Sequence, residues 1–316
     1  MHKKFINKLI CPQCKKGLKI KTVFLVKKSK ITYGFLKCKC RTYPILDGIL
    51  FIRRDKSLKT FLVFLILKII PFKYFSFNQF VNFVSQLRLI NKEWASYLTS
   101  RFTRKDFFPT AIVSTLIRKG ENVLDAGCGM GHLIYLLKST MAEKNICGLD
   151  YNLVNLYLSK SYASRNCNYI YTDLNQGLPF KSESFQNIIS SDVFHYIANK
   201  KPLGKEFKRI LTSKGLIALA NLHNKHFSRH FIDPVDYPET PRDYIKFFPN
   251  LNFSLFSQER SRKGVLKWVR EKDFSSRANR LKTFTLIFSK NTKLQKDIRT
   301  NLATLIPKDS QLASTV

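Results

Sequence analysis

The sequence predicts an α/β fold, a mostly parallel sheet with helices on both faces, preceded by a small β-rich module. Three observations predict it. From about residue 107 onward, short apolar runs alternate with amphipathic stretches, the pattern of repeated βαβ units. A glycine-rich turn at 127–131 leads from one apolar run into a helix beginning near Leu133. Four cysteines gather between positions 11 and 40, ahead of that region, at metal-ligand spacings.

Composition narrows the class. A chain of 316 residues is long enough for two domains or one large one, and 44% hydrophobic residues exclude a disordered polymer. The 55 Lys and Arg outnumber the 21 Asp and Glu, for a net charge of +34. That excess is uneven: residues 1–120 carry +22, residues 121–200 carry −1 and residues 201–316 carry +13. A neutral core inside a basic frame implies a polyanionic partner at the flanks: nucleic acid, an anionic membrane surface or acidic substrates. The N-terminus lacks the apolar stretch of a signal peptide, and seven cysteines are an odd number for a disulfide framework. Both point to a cytoplasmic chain. The most apolar run, Phe61–Leu67, is far short of the about 20 residues a membrane span needs, so no transmembrane segment is expected.

Four parts follow along the chain. Residues 1–56 are Lys-rich, with the clustered cysteines and short apolar alternations. Residues 57–106 are aromatic and predicted helical, with Phe72, Phe75, Phe80 and Phe83 followed by Trp94 and Tyr97. Residues 107–290 hold the βαβ pattern, with strands expected at Asn122–Asp125, Asn145–Asp150, Tyr169–Asp173, Asn187–Ser191, Gly215–Ala220 and near 282–289. Leu203, Phe207, Ile210 and Leu211 form one helical apolar face before the fifth strand. The stretch Gly264–Asp273 before the last strand looks like an insertion, and residues 291–316 read as a polar tail or frayed helix.

The turn reads Asp125-Ala126-Gly127-Cys128-Gly129-Met130-Gly131-His132. The dinucleotide fingerprint would need a glycine where His132 stands, and no Gly-Lys-Ser/Thr of a P-loop follows. What remains, D-x-G-x-G-x-G, resembles motif I of the class I S-adenosylmethionine-dependent methyltransferases. Four further segments resemble that family in the same order. Cys147-Gly148-Leu149-Asp150 ends the second strand on an acid. Thr172-Asp173-Leu174 leads to Leu178-Pro179-Phe180. Ser184–Ile197 is similar to the fourth strand and the helix after it, and Lys208–Gly215 to the approach to strand five. Gln186 replaces a common Asp, and Lys214-Gly215 replaces Gly-Gly.

The resemblance implies a Rossmann-like domain with a mostly parallel seven-stranded sheet, and S-adenosyl-L-methionine as cofactor. It implies a ribose contact for Asp150 and an adenine contact for Asp173. The wider cofactor set it implies is Asp125, Gly127, Cys128, Gly129, Gly131, Tyr151, Leu174 and Ser191. Methyl transfer from a sulfonium is an in-line displacement governed mainly by positioning. Ser190-Ser191-Asp192 stands where enzymes methylating exocyclic base amines carry Asn/Asp-Pro-Pro-Tyr/Phe, which disfavours that substrate class. His195, expected on the next helix near the acceptor pocket, is a candidate base; the competing reading is a packing or capping histidine. His223 and His226, just beyond strand five, are weaker candidates.

At the N-terminus, Cys11-Pro12-Gln13-Cys14 and Cys38-Lys39-Cys40 supply four thiolates, enough for tetrahedral zinc. With Tyr43-Pro44-Ile45-Leu46-Asp47-Gly48 they resemble the short zinc ribbons of the tRNA-methyltransferase activator family. The second pair is C-x-C rather than C-x-x-C, so a ribbon without metal is the alternative.

Two readings compete for the acceptor. The motif set is closest to methyltransferases of small molecules and quinone precursors. That favours a small-molecule or lipidic acceptor met at an anionic bilayer surface by Lys59, Phe61–Phe72 and Lys73; the alternative for residues 61–90 is the helical lid found ahead of motif I in that family, with its apolar faces turned inward. The alternatives are an rRNA or tRNA methyltransferase using its basic flanks as an RNA platform, and a non-catalytic S-adenosylmethionine-binding adaptor.

Overall fold

The computed structural model describes residues 1–53, 58–69, 74–101, 107–230, 236–258, 266–270 and 273–301. The chain opens with α1 (Lys3–Ile6) and four strands, β1 (Lys19–Lys27), β2 (Lys30–Lys37), β3 (Thr42–Leu46) and β4 (Ile49–Phe51). Lys28 and Ser29 turn at positive φ between β1 and β2, as a two-residue hairpin loop requires. Four helices follow: α2 (Leu58–Ile69), α3 (Phe77–Gln86), α4 (Lys92–Ser100) and α5 (Phe108–Ser114). Ser76 and Gln79 close a reciprocal capping box at the start of α3, and Asn91 caps α4.

The alternating region runs β5 (Val123–Ala126), α6 (His132–Leu137), β6 (Ile146–Asp150), α7 (Leu153–Leu158), β7 (Asn168–Tyr171) and β8 (Phe185–Ser191). It continues with α8 (Lys200–Ile210), β9 (Leu211–His223), α9 (Pro241–Lys246), β10 (Asn252–Ser257) and β11 (Lys267–Trp268). The last elements are α10 (Phe274–Arg277), β12 (Thr283–Ser289) and α11 (Thr292–Asn301).

Among the described residues all strands join one 12-stranded sheet of order β1-β2-β3-β4-β7-β6-β5-β8-β9-β12-β10-β11. From β4 through β9 every pairing is parallel, and β12 inserts antiparallel between β9 and β10. The seven strands from β7 to β10 are the expected Rossmann-like sheet. The N-terminal strands extend it, because β4 pairs in parallel register with β7 through Ile49–Tyr169 and Leu50–Ile170. One face of the sheet packs against Phe194, Phe207 and Tyr244, the other against α6, α7 and the helices before β5.

The N-terminal module is seated by an aromatic contact. Phe5 meets Phe180 at 6.2 Å, and Phe180 meets Phe185 edge-on at 4.8 Å. The amide of Ile10 donates to the Pro179 carbonyl (3.0 Å), and that of Lys181 to the Lys8 carbonyl (2.8 Å). The Leu178-Pro179-Phe180 segment therefore holds the module as well as leading into β8.

Local differences from the sequence reading have physical causes. His195 lies in a single 3-10 turn, Phe194–Tyr196, rather than on an α-helix. Asp192 just before it takes φ 58°, which breaks the chain direction, and α8 starts only at Lys200. Residues 292–301 of the polar segment form α11, anchored by buried Ile298 and by Gln295 bonded to Ser254, Asn252 and Ile287. Gln186 clamps Asn122, accepting from its backbone amide and its side chain at 2.9 and 3.1 Å. Phe72, Lys73 and residues 302–316 lie outside the described residues, as do the side chains of Lys59 and Phe61.

Candidate functional site

Because β5 to β9 run parallel, their carboxyl ends share one edge of the sheet, and the chemistry-bearing residues gather there. Gly127, Gly129 and Gly131 take φ of 82°, 50° and 82°. A Cβ on Gly127 would lie 2.5 Å from Val193, and one on Gly131 would lie 2.1 Å from the Ser159 hydroxyl. A Cβ on Gly129 would meet nothing within 4 Å. Two glycines thus permit close packing, while the middle one faces open space where a ligand can approach the backbone.

Two buried carboxyls flank the turn. Asp150 accepts from the Gly129 amide at 2.8 Å and from the Asn152 amide at 2.7 Å. Burial raises its pKa to about 6 even against those hydrogen bonds. Asp125 is raised to about 8, first by burial and then by the neighbouring Asp150 charge. Its Oδ2 is buried with no hydrogen-bond partner among the described residues. An orphaned acceptor beside a second acid is a place for a cationic or hydrogen-bond-donating ligand.

The remaining predicted residues line the same edge. Tyr151 is exposed, and the Arg53 guanidinium lies 5.9 Å from the centres of the Tyr151 and Tyr171 rings. Asp173 caps the turn that carries buried Leu174, accepting from the Asn175 amide at 2.9 Å. Cys128 is buried behind the turn. The Ser191 hydroxyl, at the end of β8, bonds Thr110 of α5.

A second cluster centres on Asp192, the last residue of the Ser190-Ser191-Asp192 segment. Its carboxylate accepts from Tyr97 (2.8 Å) and Asn221 (2.8 Å) and pairs with Arg101 at 2.9 Å. Burial alone would raise its pKa, yet Arg101 above all, with His195 and Tyr97, holds it down at about 2. His195 is wholly buried, and neither ring nitrogen has a hydrogen-bond partner among the described residues. Burial, then the neighbouring His223, pushes its pKa down to about 3, which keeps the ring neutral. It stacks on His223 at 3.8 Å with 17° between planes. His223 in turn places Nδ1 2.7 Å from Asp236.

Asp192, His195 and His223 bring ligand atoms within 4.8 Å of one another, but they do not form a chelate. A metal must lie in the plane of each imidazole, and stacked planes inclined by only 17° meet far outside the site. The arrangement suits proton handling instead: two stacked rings, with Asp236 beside Nδ1 of His223. Of this group the sequence reading named His195, with His223 as a weaker candidate. Tyr97, Arg101 and Asp236 carried no local signal.

The four N-terminal cysteines do converge. Their Sγ atoms all lie within 4.8 Å of one another, with Cys11–Cys40 at 3.6 Å and Cys38–Cys40 at 3.4 Å. Tetrahedral zinc with Zn–S near 2.3 Å has sulfur–sulfur edges of about 3.8 Å, so the donor set fits despite the C-x-C spacing. Cys14 completes it from the first knuckle.

The sheet order, the open glycine turn and the strand-end acids define a Rossmann-like ligand-binding domain. Residues 117–237 match a family model described as a methyltransferase domain. The chain is 29% identical over 136 residues to sterol 24-C-methyltransferase of Pneumocystis carinii (strain B80), covering 39% of this chain and 36% of that protein. It is 21% identical over 150 residues to (S)-coclaurine N-methyltransferase of Thalictrum flavum subsp. glaucum, covering 45% and 41%. The chain therefore spans less than half the length of these relatives. A SAM-dependent methyltransferase of Thermotoga maritima is similar in structure, with 15% identity, a TM-score of 0.48 and coverage of 65% of this chain and 97% of that one. The match to a methyltransferase domain thus covers the part of the chain that holds β5 to β9.

Proposed function

We propose that the chain transfers the methyl group of S-adenosylmethionine to a small-molecule or lipidic acceptor. The observation that carries this reading is the open face at Gly129 beside two buried carboxyls, one with an orphaned oxygen. That combination fits a ligand bearing a cationic group and vicinal hydroxyls. When bound, the sulfonium supplies an electrophilic methyl carbon.

The residues divide the work. The Gly127–Gly131 backbone cradles the methionyl end, with Cys128 packing behind it, and Asp125 accepts from its ammonium. Asp150 keeps lone pairs for the ribose hydroxyls while Gly129 and Asn152 hold it in place. Tyr151 borders the ribose, and Asp173 with Leu174 receives the adenine. Ser191, fixed by Thr110, stands where cofactor and acceptor meet.

His223 takes the acceptor's proton, with Asp236 holding its Nδ1 and the His195 ring stacked on it. Asp192, clamped by Arg101 and Tyr97, positions both rings. His195 then acts as the packing partner that sets His223 in place, rather than as the base itself.

The four cysteines hold zinc, which closes the N-terminal module and does no chemistry there. The lean towards small or lipidic acceptors is supported by the two curated relatives, named for a sterol and an alkaloid acceptor. A methyl-labelled donor incubated with lipid, small-metabolite and RNA fractions tests the reading. Label is expected in the lipid or small-molecule fraction, and label confined to RNA would overturn the acceptor class.

A further inference from the structure

The N-terminal strands and α2 leave an apolar surface that the catalytic reading does not use. β1 is the edge of the sheet, and eight of its nine residues are exposed. Phe24 is 66% exposed, and Ile20, Val23, Leu25 and Val26 are exposed beside it. On α2, Leu62, Leu65 and Ile69 stand at i, i+3 and i+7 on one outward face, with Ile69 80% exposed. The inward side of that helix is apolar too: Leu67 is buried, and Phe64 packs on Phe51 and Tyr157. A helix apolar on both sides is built to be covered on both.

The two patches adjoin. Lys68 of α2 bonds the Tyr33 hydroxyl and lies 4.8 Å from the centre of its ring. Tyr33 is the β2 residue opposite Leu25. Lysines surround the joint surface: Lys19, Lys21, Lys27 and Lys28 along the hairpin and Lys68 on the helix. Neither β1, its turn nor α2 contributes an acidic residue.

We propose that this surface, the β1–β2 hairpin edge with the outer face of α2, docks on an anionic phospholipid bilayer. Charge selects that occupant. Pairing of β1 with a second copy of itself would bring the same lysines together, which is how edge strands avoid self-association. Binding of single-stranded RNA sets lysines and arginines along a groove beside several rings on which successive bases stack. Here most of the exposed apolar groups are aliphatic, and the surrounding cations are all lysine. Lysines around exposed aliphatic and aromatic side chains are the composition of interfacial anchoring, in which apolar groups enter the acyl boundary and cations meet the headgroups.

The surface reaches the edge of the candidate site, since Phe51 links Phe64 of α2 to Tyr171 at the end of β7. The proposal deepens the lipidic-acceptor reading by naming where such an acceptor is met. It is tested without any methyl donor, so it stands or falls separately from transfer.

The experiment is co-sedimentation of the full chain with phosphatidylcholine vesicles, with and without phosphatidylglycerol. Binding is expected only with phosphatidylglycerol, and it weakens as salt rises. Two double variants at exposed positions, Phe24→Ser with Leu25→Ser and Leu65→Gln with Ile69→Gln, should each weaken partition by ~10-fold or more while melting as the parent does. Phe24→Trp supplies a readout independent of affinity. The emission it adds to that of the parent chain should shift to the blue when anionic vesicles are added. Unchanged partition of both double variants overturns the proposal. So does an added emission in Phe24→Trp that is already blue without lipid, which would mean that the chain itself covers the strand. RNA retention without vesicle binding, or a concentration-dependent dimer abolished by the same variants, overturns it as well.

Discussion

The Arg101 guanidinium lies 2.9 Å from the Asp192 carboxylate, and both side chains are nearly buried. Arg101 directly follows α4, and Asp192 directly follows β8, so this pair ties the helices ahead of the sheet to the strand end beside the histidines. Breaking one side of a buried pair leaves the other charge uncompensated. Arg101→Met should therefore cost ~3–5 kcal/mol of stability, read from urea unfolding, whereas replacing both partners by apolar residues should cost less. Asp192 also carries a pH signature. Its folded pKa of about 2 lies below its unfolded value, so its contribution is present above about pH 4 and is lost as pH falls towards 2.

The acids at the glycine turn have the opposite sign. Asp125 at about 8 and Asp150 at about 6 lie above their unfolded values, so the fold favours their protonated forms. Their contribution is full below about pH 4 and is lost as pH rises through 6 to 8. The ligand-free chain should lose stability between about pH 5 and about pH 8, and Asp125→Asn should flatten that loss. The same variant should weaken cofactor binding. Urea midpoints at the two pH values, with and without the substitution, check both the direction and its source.

The seat of the N-terminal module is a third target. Phe180 is fully buried between Phe5 and Phe185. Phe180→Ala should cost roughly 3–5 kcal/mol. Limited proteolysis of the variant should release the segment ahead of residue 57 faster than in the parent chain, because the contact that seats it is gone.

The cysteine cluster predicts one zinc per chain by elemental analysis. Removing the metal with a chelator, or substituting Cys11→Ser, should lower the melting temperature and loosen the first module before the sheet that follows β5. Binding of S-adenosylmethionine should persist, because the residues proposed for the cofactor all lie beyond the cysteine-bearing segment.

The parallel core was legible in the sequence because each strand is a short apolar run closed by a turn signal: Leu124-Asp125 before Gly127, and Leu149-Asp150 before Asn152. The joining of β4 to β7 was not legible, since pairing across more than a hundred residues leaves no local pattern. The antiparallel β10 and β11 were missed because Asn252–Ser257 alternates only weakly and β11 has just two residues. In the site, the glycine turn and the strand-end acids could be read from spacing. The Asp192 network could not, because Tyr97 is 95 residues away and the stacking of His195 on His223 depends on two separate strand ends.

The central claim is a cofactor site built from the Gly129 face and Asp150. Titration calorimetry of the full chain with S-adenosylmethionine tests it most directly. Binding is expected in the micromolar range, about −8 kcal/mol, with a loss of at least ~10-fold in Asp150→Ala and the fold intact by circular dichroism. No heat of binding with the parent chain, or equal affinity in Asp150→Ala, would contradict it.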